Sequence, residues 1–282
     1  MSRRWMITVT ELVEQLDQPG ADRPLVLDAR YDLMGPDGAG AFAEGHVPGA
    51  RWVDVEDGLS ATGERARGGG GRHPLPRPEV FEQAVRRVGL DRGRPVVAMD
   101  GGHLLGAARL WWLLRDAGHD AVRVLDGGFA AWRDAGLPVE TGPGTPPAPG
   151  DFVAGPPRLP VVDAEGVAGA LAGGVQVVDV RAAPRYRGEQ EPIDPVAGHV
   201  PGAVNLPSSR LLGEDGRLLP AGPLHEVVAD VAPGAVLYCG SGLTASQAVL
   251  ALAETGREDG VLYAGSWSDW ISDPTRPVAR GH

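Results

Sequence analysis

The sequence contains a single cysteine, Cys239, among 282 residues. One cysteine excludes an internal disulfide and any zinc site built on several cysteines, and it is most simply explained by a reducing cytoplasm. No apolar run approaches the length of a membrane-spanning helix, and the apolar stretch after Arg3 and Arg4 is too short for a signal peptide. We therefore expect a cytoplasmic protein without a membrane partner.

Positive charge is also scarce, because 26 Lys and Arg face 37 Asp and Glu, for a formal net charge of −11. This balance argues against nucleic acid or an anionic membrane as a partner. Hydrophobic residues make up 43% and charged residues 22%, as in an ordinary globular enzyme. Outside the motifs described below, the histidines lack metal-ligand spacing, so we expect neither a metal nor another cofactor.

The order of sequence signals in the first half recurs in the second, which indicates a duplication. The recurring signals are an apolar strand ending in Asp-x-Arg (25–30 and 177–181), a His-Val-Pro-Gly-Ala run (46–50 and 199–203), a second apolar strand (96–100 and 235–239) and a Gly-to-Trp segment (127–132 and 265–270). The proline-rich segment 141–160 separates the halves. We predict domains at 1–140 and 161–282, joined by a stiff extended linker rather than packed structure.

Strands that alternate with helices predict two tandem α/β domains, each a mainly parallel sheet with helices on both faces. In such sheets the site lies beyond the carboxyl ends of the strands. Cys239 holds that position in the second half, whereas Asp100 holds it in the first. Because a carboxylate cannot attack sulfur, we expect the first domain to lack the chemistry and to supply a wall of the cleft and acid/base groups.

The segment around the cysteine, residues 236–245, reads VLYCGSGLTA. It predicts a buried strand, a tight turn permitted by Gly240 and Gly242, and a helix start near Thr244. Backbone N–H groups and a helix N-terminus would then point at the sulfur, favour the thiolate and make it a nucleophile. The alternative is a buried cysteine that packs as a small hydrophobic residue. Its position at the end of the strand favours the nucleophile.

These motifs resemble the two-domain rhodanese family of sulfurtransferases over nearly the whole chain. Residues 42–50 are similar to the family's first-domain signature and residues 265–270 to its C-terminal signature. The loop 239–244 is similar to that of the 3-mercaptopyruvate branch, since thiosulfate-preferring members usually carry cationic residues after the cysteine and this loop has none. Phosphatases of the same fold place a phosphate-clamping arginine where this chain has Ala245.

The resemblance implies two tandem rhodanese-like domains and a ping-pong reaction. Cys239 would take a sulfane sulfur from a donor, hold it as a persulfide, and pass it to a thiophilic acceptor such as a thiol or cyanide. Thioredoxin is one candidate acceptor. We expect 3-mercaptopyruvate as the donor, with thiosulfate as the alternative. A further alternative is a non-catalytic persulfide carrier that a partner protein loads.

The resemblance also assigns substrate-binding residues. Arg185 would bind the carboxylate or sulfonate end of the donor, because a guanidinium suits a planar anion. The main-chain N–H groups that would hold the donor and the persulfide belong to Gly240, Gly242, Leu243 and Thr244.

Mercaptopyruvate enzymes commonly carry a second arginine about nine residues after the first, where this chain has the segment 193–195, Ile-Asp-Pro. Arg187 or Arg72 could substitute for it, or the donor differs.

For proton delivery, Ser241 matches a serine that the mercaptopyruvate branch is thought to use. His46 and Asp37 could complete a Ser–His–Asp relay, because histidine is the usual proton shuttle near neutral pH. The alternative for His46 is a role in its turn, since His199 stands in the same context and we expect a structural role there.

Other residues suggest structure rather than chemistry. Asp28 with Arg30, and Asp179 with Arg181, occur in both halves and predict internal salt bridges. The Gly- and Arg-rich segment 58–76 predicts a mobile loop.

Overall fold

The computed structural model describes residues 4–32, 35 and 37–281. The strands are β1 (Met6–Ile7), β2 (Leu25–Asp28), β3 (Arg51–Trp52), β4 (Ala66–Arg67), β5 (Leu75–Pro76), β6 (Val96–Met99), β7 (Val122–Leu125), β8 (Val177–Asp179), β9 (Val204–Asn205), β10 (Val236–Tyr238) and β11 (Val261–Leu262). The helices are α1 (Val9–Leu16), α2 (Gly38–Glu44), α3 (Pro78–Arg87), α4 (Gly106–Asp116), α5 (Gly128–Asp134), α6 (Ala164–Ala172), α7 (Ala183–Tyr186), α8 (Ala221–Val227), α9 (Leu243–Glu254) and α10 (Ser266–Trp270). Within the described ranges, no helix combines the length and apolar character needed to cross a membrane.

The first half forms a parallel sheet in the order β1-β7-β6-β2-β3. Val96 of β6 pairs with Leu25 on one side and with Val122 on the other, so β6 lies inside the sheet. All four residues of β6 are buried, as expected for a parallel sheet covered on both faces. Helix α4 packs beside it with Trp111 and Trp112 fully buried.

The second half repeats this topology in a sheet of order β11-β10-β8-β9, again with parallel pairs. Val161 bridges in parallel to Leu262 and takes the place that β1 has in the first sheet. Strand β10 is the counterpart of β6, with β8 on one side and β11 on the other. The prediction of two tandem α/β sheets is therefore confirmed.

The chain divides into two compact units whose borders depart from the sequence-based division. The first comprises Met1–Ala61, Pro76–Arg158 and Asp215–Arg217, and the second comprises Thr62–Leu75, Leu159–Glu214 and Leu218–His282. The segment Thr62–Leu75, predicted to lie in the first domain, thus belongs to the unit that contains Cys239.

The segment 141–160 is not the unpacked linker that its prolines suggest. Phe152 is buried, and its N–H donates to the carbonyl of Leu90 at 3.1 Å. The N–H of Gly150 donates to the carbonyl of Arg86 at 2.8 Å, at the C-terminal end of α3. The last carbonyl groups of a helix have no partner within the helix, so they can accept hydrogen bonds from another segment. Proline has no N–H, but the residues between the prolines do and can donate these bonds. The segment therefore packs along the first unit.

Candidate active site

Cys239 directly follows β10, at the carboxyl end of an inner strand of the second sheet. Its Sγ accepts the N–H of Gly242 at 3.0 Å. Gly242 has φ +90°, a conformation that favours glycine and folds the loop back over the sulfur before α9 begins at Leu243. The other predicted donors to the sulfur, Gly240, Leu243 and Thr244, do not bond to Sγ. The described loop thus supplies one main-chain N–H to the sulfur.

The cysteine is 2% exposed. Burial alone would fit a packing residue equally well. A polar N–H aimed at the sulfur, and the guanidinium groups described below, distinguish this site from an apolar packing position.

Ser266 is a site residue that the sequence reasoning missed. Its Oγ accepts the N–H of Cys239 at 3.1 Å, lies 3.9 Å from Sγ and donates to the carbonyl of Tyr263 at 2.9 Å. Ser266 has φ +55°, in the left-handed region that a residue other than glycine seldom adopts. The strained residue at the start of α10 therefore fixes the point where the cysteine loop leaves β10. In the sequence, Ser266 lies within the 265–270 signature. That signature identifies the segment but does not indicate the hydrogen bond between Ser266 and Cys239.

Two arginines lie against the loop at Gly240. A Cβ atom at Gly240 would lie 3.1 Å from Nη2 of Arg72 and 3.6 Å from both terminal nitrogens of Arg185. Positive charge next to the cysteine therefore comes from distant segments, although the residues that follow Cys239 carry none. Arg185, predicted to bind the donor, thus lies beside the cysteine loop.

Arg72 is one of the two substitutes considered for the missing second arginine. The other, Arg187, pairs with Glu189 at 2.7 Å. Arg72 reaches the loop because the segment 62–75 belongs to the second unit. The structure thus brings Arg72, and not Arg187, to Gly240.

The glycines before Arg72 make this position possible, and the segment 58–76, predicted as a mobile loop, contains regular pairing and packed contacts. Strands β4 and β5 pair within it. The N–H of Gly70 donates to Asp269 at 3.1 Å, and that of Arg72 donates to Ser268 at 3.1 Å. A Cβ atom at Gly71 would lie 2.5 Å from the carbonyl oxygen of Gly265, closer than real contacts allow. The glycine run therefore serves close packing against α10.

Both arginines pair with carboxylates of the segment after α7. Nη2 of Arg185 lies 2.7 Å from Glu191 and 2.9 Å from Asp194, and Nη1 of Arg72 contacts the other oxygen of Asp194. Burial alone would raise the pKa of the Glu191 carboxyl, but hydrogen bonds from Arg185 and from backbone N–H groups hold that pKa below its ordinary value. We call Arg72, Arg185, Glu191 and Asp194 the arginine–carboxylate cluster.

The Asp-x-Arg groups form the predicted internal salt bridges. Arg30 lies 2.5 Å from Asp28, and Arg181 lies 2.6 Å from Asp179. Both carboxylates are fully buried, and each occurs at the end of the matching strand. The pairs hold corresponding turns of the two sheets, and this prediction is confirmed.

His46 lies in the first unit and is fully buried. Its Nδ1 is 2.9 Å from the carbonyl of Phe42, and its ring stacks on Phe42 with centroids 3.8 Å apart. His199 repeats the arrangement, with Nδ1 2.7 Å from the carbonyl of Tyr186 and a centroid distance of 3.8 Å to that ring. Both histidines therefore hold their turns in the same way.

The predicted pairing of Asp37 with His46 does not form. The carboxylate of Asp37 caps α2 by accepting the N–H groups of Ala39 and Gly40 at 3.3 Å each. Neither ring nitrogen of His46 bonds to it, and Nε2 of His46 instead lies 3.8 Å from Glu140. A carboxylate at a helix N-terminus finds its own donors nearby, which explains why Asp37 caps α2.

The remaining predicted proton carrier, Ser241, is partly exposed in the loop between Gly240 and Gly242. The second unit also holds a buried histidine directly after Arg72, namely His73. Sequence reasoning passed over His73 because it showed no ligand spacing.

Comparison with known proteins finds the rhodanese-like domain twice, at residues 8–135 and 164–273. The chain is 44% identical to the putative thiosulfate sulfurtransferase SseB of Mycobacterium tuberculosis over 98% of this chain and 97% of that one. It is also 44% identical to a probable 3-mercaptopyruvate sulfurtransferase of Pseudomonas aeruginosa, over the full length of both. The crystal structure of SseA from Escherichia coli matches with a TM-score of 0.79 and 32% identity, covering 94% of this chain and 99% of SseA.

Proposed function

We propose a donor and a reaction route for this chain, which belongs to the rhodanese-like family and is a sulfurtransferase. The proposed donor is 3-mercaptopyruvate. The observation that carries the proposal is the pair of guanidinium groups at Gly240, beside a cysteine loop that has no cation of its own. Two planar cations next to the nucleophile suit a donor that presents a carboxylate.

In the first half-reaction, the thiolate of Cys239 attacks the sulfur of mercaptopyruvate. The bond between sulfur and C3 breaks, its electron pair remains on C3, and the resulting enolate is protonated to pyruvate. Cys239 keeps the transferred sulfur as a persulfide. The N–H of Gly242 already bonds to Sγ and would stabilise negative charge there. Ser241 is the loop hydroxyl proposed to pass the proton.

In the second half-reaction, an acceptor thiolate attacks the outer sulfur of the persulfide. The S–S bond breaks, the acceptor leaves as a persulfide, and the electron pair returns to the thiolate of Cys239. A small thiol or a protein dithiol such as thioredoxin would serve as acceptor. Both the acceptor and the free cysteine suit a reducing cytoplasm, which is the proposed compartment.

Thiosulfate is the second candidate donor, and the mycobacterial relative favours it, because that relative is named for this activity at the same 44% identity. Its reaction would break an S–S bond and release sulfite. The loop over residues 240–245 lacks the cations that suit this dianion, which supports mercaptopyruvate.

The experiment that tests the proposal gives the purified protein mercaptopyruvate and a small thiol, and measures pyruvate release. We expect catalytic release and a higher kcat/KM than with thiosulfate under the same conditions. Release of sulfite from thiosulfate at the higher kcat/KM would reverse the donor assignment. Turnover of neither donor, with loading only by a partner protein, would indicate a carrier.

A further inference from the structure

The positive charge at Gly240 is already neutralised by the chain's own carboxylates. In the arginine–carboxylate cluster, two guanidinium groups face two carboxylates. The side chain of Asp194 is 2% exposed and that of Glu191 is 3% exposed, so neither charge is screened by water. An anionic donor can therefore bind Arg72 and Arg185 only where it replaces or shares the contacts of these carboxylates.

Asp194 bridges the two arginines. Its Oδ2 lies 2.9 Å from Nη2 of Arg185, while its Oδ1 contacts Nη1 of Arg72. One carboxylate with one oxygen on each guanidinium is the arrangement that a donor carboxylate would adopt between them.

Glu191 cannot release its arginine as readily. It accepts from Nε and Nη2 of Arg185, and it also lies 3.3 Å from Nη1 of Arg181. Nε of Arg72 is buried and has no hydrogen-bond partner. The pairing of Arg72 with Asp194 therefore leaves this N–H available for another acceptor. The exchangeable member of the cluster is therefore Asp194.

We propose that Asp194 is an internal competitor for the anionic group of the donor, and that it sets the charge of the donor that the enzyme accepts. This inference rests on the proposed sulfur transfer from a small anionic donor. A singly charged carboxylate can replace or share the contacts of Asp194. With Asp194 in place the cluster is neutral and gives the second charge of a dianion no net attraction, whereas without that carboxylate the cluster would carry a net positive charge that attracts a dianion about twice as strongly as a monoanion. The site therefore discriminates against dianionic donors such as thiosulfate.

The test is Asp194→Asn, which keeps the shape and removes the charge. We expect kcat/KM to rise about 10-fold for thiosulfate and about 3-fold or less for mercaptopyruvate, mainly through KM, because the dianion gains more from the removed charge. The matched control is Glu189→Gln, which removes one carboxylate from the exposed pair with Arg187. It should change both donors less than about 2-fold.

Equal changes for the two donors in Asp194→Asn would overturn the proposal, as would a rise that Glu189→Gln reproduces. Should Asp194→Asn fail to fold, Arg72→Gln provides the opposite change. It leaves Arg185 facing both carboxylates and should lower kcat/KM for thiosulfate several times more than for mercaptopyruvate, about 10-fold against about 3-fold. An equal loss would contradict the proposal.

A binding measurement separates this inference from the proposed function. In a Cys239→Ala background, calorimetry should show thiosulfate binding about 10-fold more tightly when residue 194 is Asn than when it is Asp. Unchanged affinity would overturn the role of Asp194. Turnover of neither donor by the wild-type enzyme would instead refute the proposed function, whatever the binding result.

Discussion

Asp100 in the first unit and Cys239 in the second hold the same position and accept the same kind of hydrogen bond. Each directly follows the inner strand of its sheet, β6 or β10. The N–H of Gly102 donates to Oδ1 of Asp100 at 2.9 Å, and the N–H of Gly242 donates to Sγ of Cys239 at 3.0 Å. The duplicated loop therefore directs a main-chain donor at the side chain that follows the inner strand in both units, a carboxyl group in one and a sulfur atom in the other.

Asp100→Ala tests the structural role of that carboxylate. It accepts further N–H groups from His103 at 3.1 Å, Leu104 at 3.2 Å and Ala107 at 3.3 Å, and these lose their partner in the variant. We expect the free energy of unfolding to fall by about 1–3 kcal/mol, with kcat of the folded enzyme nearly unchanged. Urea unfolding and steady-state rates measure the two effects. The exposed Asp134→Ala is the control and should cost less than about 0.5 kcal/mol.

Gly240→Ala tests the contact between the arginines and the cysteine loop. The added Cβ would lie 3.1 Å from Nη2 of Arg72, so the guanidinium must shift by a few tenths of an ångström. We expect KM for mercaptopyruvate to rise about 10-fold with a smaller change in kcat, because the donor anchor is displaced. Gly222→Ala in α8 is the matched control, since a Cβ there meets nothing within 4 Å. An unchanged KM in Gly240→Ala would show that the arginines do not hold the donor.

His46→Ala separates the relay from a packing role. The imidazole is fully buried, stacks on Phe42 and bonds to its carbonyl, so its loss should reduce the free energy of unfolding by about 2 kcal/mol. We expect kcat with mercaptopyruvate, measured per folded molecule, to stay within about 3-fold of the parent, because a proton shuttle typically contributes 100-fold or more. A loss of kcat of that larger size with unchanged stability would restore His46 to the mechanism.

The sequence was sufficient to predict the two parallel sheets and the place of Cys239. Buried runs such as Val96–Met99 identify inner strands, and the repeated Asp-x-Arg groups show which strands correspond. Local patterns carry this information because strand burial and turn chemistry depend on neighbouring residues. The same repeat also indicated the turn role that His46 shares with His199, although the sequence left the relay open beside it.

The contacts around Gly240 could not be predicted from local pattern. Arg72 reaches the loop only because the glycines before it pack against α10, a tertiary contact between segments far apart in the chain. Glycine-rich sequence permits close packing as readily as mobility, so composition did not distinguish the two. From the sequence, Asp194 was noted only because it lies in the segment where a second arginine was expected. Its pairing with Arg72 required the fold.

The central claim is that Cys239 carries the transferred sulfur, and mass spectrometry of the intact protein tests it most directly. After mercaptopyruvate is added without a thiol, the wild-type enzyme should gain the mass of one sulfur atom and lose it when a thiol follows. Cys239→Ser should gain no sulfur and should transfer it at less than about one-thousandth of the parent rate. A serine variant that still transfers sulfur at the parent rate, or a wild-type enzyme that turns over without the added mass, would contradict the account.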